Sequence, residues 1–179
     1  IYTDVDGIYT TDPRVHCGAA RLATVSHDEM LELASLGAGV MHSRSIEFAK
    51  KFGVPIFVRS SFEDGPGTEI SSGSTSRRTV TGVALAKDEA RVTVEDVPDQ
   101  PGASHQLFAE LASNGISVDM IIQNAGTGGT ADISFTVTNQ DVPAALEITS
   151  SVAERLRAAG VTHDPDVAKV SIVGSGMVD

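Results

Sequence analysis

The chain has no tryptophan, and aromatic residues make up 4% of its 179 positions. The stacked rings that grip single-stranded nucleic acid are therefore missing. Positive charge is also scarce: 13 Lys and Arg stand against 24 Asp and Glu, a formal net charge of −11. That average field repels a phosphate backbone and argues against general nucleic-acid binding. A single cysteine, Cys17, excludes an intrachain disulfide and fits a reducing, cytoplasmic compartment. With no convincing base beside it, Cys17 is expected to be a small, semi-buried residue. No apolar run approaches the ~20 residues that cross a bilayer, and no signal peptide opens the chain, so no membrane partner is expected. Histidines at His16, His27, His42, His105 and His163 have no paired metal spacing, and no zinc site is expected. Neither G-x-S-x-G nor a P-loop occurs, which leaves hydrolase and Walker-type readings unsupported.

What is present is an ordinary globular composition, 41% hydrophobic and 21% charged. The chain starts at Ile1 with a strand-like pattern, as a piece cut from a longer polypeptide would. Composition shifts once, at SSGSTSRR over 71–78, a stretch without apolar periodicity that reads as a linker. Before it, Ser26 and Glu29 stand in capping-box spacing ahead of Met30, Leu33, Ala34 and Leu36, which predicts a helix over 26–37. A second helix is expected over 45–52, with Ile46, Ala49 and Phe52 inward and Gly53 as its stop. The run VPIFV at 54–58 suits a buried strand. Helices alternating with such strands indicate an α/β layer, too short here to be a complete nucleotide-binding domain.

After the linker, Ala90, Val92 and Val94 alternate with polar residues and predict a strand over 90–97. Pro101 and Gly102 open a helix expected to run to 114, carrying Leu107, Phe108 and Leu111, with Gly115 as its stop. Strands are expected over 116–123 and 131–138, joined by the turn AGTGGT. A helix over 142–159 carries Ala145, Ile148, Val152 and Leu156, and a last strand covers 168–173. The order β-α-β-β-α-β is the ferredoxin-like plan, an antiparallel sheet with helices on one face.

Three segments carry candidate chemistry. Residues 2–14, YTDVDGIYTTDPR, form a strand end, a Gly turn and a polar loop. Arg14 suits a phosphate or carboxylate partner. Asp4, Asp6 and Asp12 could hold Mg²⁺ through water or orient polar neighbours, and in isolation such loops are more often solvated turns. The segment Asp99-Gln100-Pro101-Gly102-Ala103-Ser104 lies at a strand-to-helix junction. There a helix N-terminus offers N–H groups to a carboxylate, and Asp99 offers charge to an ammonium. In isolation such a segment is more often an ordinary turn and helix start. The strand Asp119-Met120-Ile121-Ile122-Gln123-Asn124 ends in two carboxamides that both donate and accept.

YTDVDGIYTTDPR resembles the nucleotide-site loop of the amino-acid kinase superfamily, and of aspartate kinases in particular. The likeness continues through SHDEMLELASLGAGVMHSRSIEFAKKFGVPIFVRSSFEDGPGTEI, with one departure: Ser43 stands where members often have Pro. Residues 82–176 resemble the regulatory region, and the Asp99 loop resembles the effector loop of an ACT domain. The resemblance implies α/β and α+β architecture. Residues 1–70 would be the C-terminal part of the kinase domain, 71–81 a linker, 82–166 an ACT domain and 167–179 the start of a second ACT module. It also implies ATP-dependent phosphorylation of L-aspartate to 4-phospho-L-aspartate, the entry step to lysine, threonine and methionine. Thr3, Asp4, Tyr9, Asp12 and Arg14 would contact ATP, with Mg²⁺ used by the full-length kinase. Asp99, Gly102, Ala103, Ser104, Gln123 and Asn124 would bind lysine, threonine or both at the seam of a homodimer.

The Lys-Phe-Gly-Gly-type motif and the aspartate-binding residues of such kinases are not in this sequence, so it holds no catalytic residue and is expected to be inactive alone. Two rival readings stand beside this one. The first is a non-catalytic regulatory subunit that senses an amino acid, and the second is another amino-acid kinase with an unrelated substrate.

Overall fold

The structure is a computed structural model that describes residues 1–73, 79–126 and 128–174. It divides into two compact units, Ile1–Ala86 with Lys169–Asp179, and Lys87–Ala168. Residues 74–78 of the expected linker, Thr127 of the AGTGGT turn and 175–179 of the expected second ACT module lie outside the described residues.

The first unit holds β1 (Tyr2–Thr3), β2 (Thr24–Val25), α1 (His27–Ser35), α2 (Ser43–Phe52), β3 (Ile56–Ser60) and β4 (Thr68–Ile70). The strands form a sheet in the order β1-β3-β4-β2. The pairs β1/β3 and β2/β4 are parallel and β3/β4 is antiparallel. Val25, Met30, Leu33, Ile46, Val58 and Ile70 are buried together as its core. The capping box exists as the sequence indicates: Ser26 accepts from the Glu29 N–H, and the Glu29 carboxylate accepts from the Ser26 N–H. Such a cap contributes about 0.5–2 kcal/mol. Gly67, at φ +73°, makes the turn into β4; a Cβ there would lie 2.2 Å from the Val58 carbonyl oxygen, so a larger residue is excluded.

Two long strands carry residues of both units, β5 (Gly82–Pro98) and β8 (Gly160–Val173). The second unit adds α3 (Ala103–Ser113), β6 (Ile121–Ala125), β7 (Thr130–Thr138), a short 3-10 helix at Asn139–Asp141 and α4 (Val142–Leu156). Its sheet order is β6-β7-β5-β8, with β5/β7 and β6/β7 antiparallel. This is the β-α-β-β-α-β order read from the sequence. Ala131, Ile133, Phe135 and Val137 alternate inward along β7 and pack with Leu107, Leu111, Val152 and Leu156. Phe108 meets Phe135 edge to face at 5.7 Å.

The elements exist as expected, but several bounds move. The strand expected over 90–97 begins at Gly82, and that expected over 168–173 begins at Gly160. The polar residues between, such as Lys87, Asp88 and the run from His163 to Asp166, mask strands in a residue-by-residue reading. The strand expected over 116–123 is confined to Ile121–Ala125, and that over 54–58 shifts to Ile56–Ser60, beyond the Pro that lacks a donor. Pro101 lies before α3, because Gly102 is the N-cap in a left-handed conformation. α4 stops at Leu156, where Arg157 takes φ +59° and returns its N–H to Ala153 and Glu154. Two side-chain expectations are corrected. Cys17 is exposed, since the 11–19 loop offers it no core. Phe52 points outward and stacks on Phe48 one turn back, because Ile46 and Ala49 already fill the inner stripe of α2.

Candidate functional site

The N-terminal loop is closed by a small hairpin. Leu22 N–H donates to the Ile8 carbonyl at 2.7 Å and Thr10 N–H to the Ala20 carbonyl at 2.9 Å, with Tyr9 opposite Arg21 in an antiparallel bridge. Within the loop, Val15 and His16 N–H groups both donate to the Asp12 carbonyl at 3.0 Å, so the DPR segment turns tightly.

The expected nucleotide residues gather in three small groups. Thr3 Oγ1 donates to Asp4 Oδ1 at 2.9 Å. Arg14 grips Asp12, with Nε to Oδ1 at 3.0 Å and Nη2 to Oδ2 at 2.9 Å, and its own N–H also donates to Oδ1. This bidentate pair, with a further pull from Asp4, raises the guanidinium's proton affinity. Tyr9 stands apart: its hydroxyl donates to Asp6 Oδ1 at 2.8 Å. That bond, then burial and the Asp6 charge, raise the phenol pKa above its ordinary value.

Three residues that sequence reasoning did not select hold this loop in place. Arg21 reaches Asp6 Oδ2 at 3.5 Å and donates from Nη1 to the Gly67 carbonyl. Thr68, fully buried on β4, accepts from the Ile8 N–H at 2.8 Å and donates to the Leu22 carbonyl at 2.5 Å, so one hydroxyl staples both hairpin strands. Gly7 fits against them, and a Cβ there would lie 2.6 Å from Thr68 Oγ1. Gly7 and Thr68 lie within the stretches quoted above without being singled out, and Arg21 falls between those stretches. The carboxylates do not compose a cation cage: Asp6 and Asp12 are spent on Tyr9, Arg21 and Arg14, and no group of metal-ligating side chains occurs among the described residues. The carboxylates among the described residues thus offer Mg²⁺ no ready-made cage.

In the second unit, α3 and β6 bring Ser104 and Gln123 together, with Ser104 Oγ donating to Gln123 Oε1 at 3.3 Å. Gly102 leaves the start of α3 without a side-chain cap and with open space where a Cβ would stand. Uncapped N–H groups there suit a carboxylate. Ala103 is buried under the helix start. Asn124 pairs with Asp132 in register and is exposed. Asp99 N–H donates to the Gly129 carbonyl at 2.9 Å, one position beyond the Pro98–Thr130 row. Ser104 and Gln123 are thus in contact, while Asp99 follows β5 and Asn124 lies on β6, two strands that β7 separates in the sheet. A groove of about 380 Å³ lies elsewhere, between α3 and α4, lined by Glu110, Asn114, Glu147 and Ser151.

A profile of the Amino acid kinase family matches residues 1–60, and one of the ACT domain matches residues 91–157. An aspartokinase of Pseudomonas aeruginosa is 45% identical over 181 residues, covering 99% of this chain and 44% of that protein. E. coli aspartokinase III in complex with aspartate and ADP is 29% identical with a TM-score of 0.77, over 99% of this chain and 40% of that one. The same enzyme with lysine and aspartate gives a TM-score of 0.70 at 29% identity, over 97% and 39%. The ligand-free regulatory subunit of aspartate kinase from Thermus thermophilus is 41% identical with a TM-score of 0.51, over 54% of this chain and 64% of that one. The chain spans less than half the length of the curated relatives it matches.

Proposed function

We propose, for a chain that belongs to the aspartate kinase family, that its first unit supplies the nucleotide loop for ATP-dependent phosphorylation of L-aspartate and its second unit senses a free amino acid. The product would be 4-phospho-L-aspartate, on the route to lysine, threonine and methionine. The observation that carries this reading is the 45% identity over 99% of the chain, through both the loop and the sensor. The neighbour solved with ADP and aspartate, and again with lysine, supports the two ligand classes.

In this reading Thr3, Asp4, Tyr9, Asp12 and Arg14 line the nucleotide, and Arg14 exchanges part of its grip on Asp12 for a phosphate oxygen. The chain alone performs no turnover. Asp99 takes the effector's ammonium, and the N–H groups after Gly102, with Ser104, Gln123 and Asn124, take the polar remainder. Lysine and threonine are the candidate effectors, and a second copy closes the site. Bound effector regulates only as far as it prefers one of two states.

Calorimetry tests both halves. ADP with Mg²⁺ is expected to bind wild type about tenfold more tightly than Arg14→Ala, the worth of one charge-assisted bond. Lysine or threonine is expected to bind wild type and lose affinity in Asp99→Ala; equal binding by both proteins removes Asp99 from the site.

The rival reading, a regulatory subunit without catalysis, has one observation in its favour, the Thermus thermophilus match. That match stops at 54% of the chain, whereas the loop at Thr3 to Arg14 belongs to the kinase profile. ADP binding separates the two.

A further inference from the structure

β5 runs from Gly82 to Pro98, with a bulge between Val94 and Val97 where Asp96 takes φ +51°, and Asp99 follows it directly. Its other end lies against the N-terminal loop: Val83 N–H donates to the Thr10 carbonyl at 2.7 Å. Thr10 is where that loop closes. Its N–H donates to the Ala20 carbonyl at 2.9 Å, and its hydroxyl accepts from the Ala20 N–H at 3.1 Å. The segment so enclosed carries Asp12 and Arg14.

The fit around the strand start is close. A Cβ on Gly82 would come within 3.1 Å of both the Thr10 carbonyl oxygen and Leu33 Cδ2. The residue before it is pinned as well. Thr81 is buried, its hydroxyl donates to the Glu29 carboxylate, and its N–H donates to the Val173 carbonyl at 2.8 Å. Glu29 is itself fixed by the Ser26 hydroxyl at 2.8 Å. Gly82 therefore has no slack on either side, and moving the start of β5 means moving Thr10.

We propose that Gly82 and Val83 are positioning residues of the nucleotide loop, so that β5 sets the pose of the Asp12–Arg14 segment. The inference rests on reading that segment as the nucleotide site.

Amide hydrogen exchange by NMR on this chain, with and without ADP and Mg²⁺, decides it. Val83→Pro removes the donor at the second residue of the strand, near an end where proline is tolerated. Thr10 is expected to exchange about tenfold faster, as the loss of one backbone bond implies, while Ile46 and Ala49 of α2, buried in the same unit, stay protected and report its intact fold. Gly82→Ala, which keeps the donor, is expected to displace the Thr10 and Arg14 resonances and weaken ADP about fivefold. Unchanged Thr10 exchange in Val83→Pro, together with unmoved Thr10 and Arg14 resonances in Gly82→Ala, overturns the proposal. A wild-type chain whose residues 3–14 ignore ADP fails the nucleotide reading instead, and the variants' exchange still decides whether β5 holds the loop.

Discussion

At the scale of single residues, the proposed nucleotide loop is organised by a charge relay that runs through Asp6. Its carboxylate accepts from Tyr9 on one oxygen and faces Arg21 on the other. Donation to a carboxylate holds the Tyr9 proton, so its pKa in the folded chain lies above the unfolded value of 10.0. The sign follows from linkage: the stabilisation is complete below pH 10, the unfolded value, and disappears as pH rises through the raised folded value. In a Tyr2→Phe background, ultraviolet titration then reads Tyr9 alone. Asp6→Asn is expected to lower its midpoint, because the hydrogen bond and the negative charge go together; an unmoved midpoint removes Asp6 from the relay. Asp12 and Arg14 were legible in the sequence because they are neighbours in one motif. Arg21 was not, since its partner Asp6 lies fifteen positions earlier and only the hairpin closure brings the two together.

At the scale of elements, one buried hydroxyl does the work of several contacts. Thr68 bridges Ile8 and Leu22 from a neighbouring strand. Thr68→Val keeps the shape and strands the Ile8 N–H without a partner, at a cost of about 1–3 kcal/mol. Urea unfolding followed through loop amides would show the loss. α4 holds the opposite case: Thr149 is fully buried and its Oγ1 has no partner among the described residues. There Thr149→Val is expected to stabilise the chain by about 1 kcal/mol, seen as a higher midpoint at unchanged slope. The capping box of α1 and the alternation of β7 were legible because each is a local pattern with a fixed period. The ends of β5 and β8 were not. Their polar residues satisfy no period, and backbone pairing across the sheet, not side-chain burial, keeps them extended. Thr68 lies on a strand of three residues, too short to show a period.

At the scale of the whole molecule, the sheet of the second unit has two edges that differ in chemistry. β8 presents His163, Asp164, Pro165 and Asp166 over its part in that unit, the charges and proline that discourage a further strand. β6 presents IIQNA, with no charge at all, and Ile121 and Ile122 remain 52% and 45% exposed beside Met120 at 47%. An uncharged edge with apolar side chains is the one suited to a second copy, and Gln123 and Asn124 sit on the same strand. The proposed pairing and the proposed effector site therefore share β6. Ile122→Lys places a charge on that edge without entering the core. Sedimentation is expected to show a dimer for wild type and a monomer for the variant, with lysine or threonine affinity falling alongside. A variant that stays dimeric and binds as before would put the interface on another surface and leave the site complete within one chain.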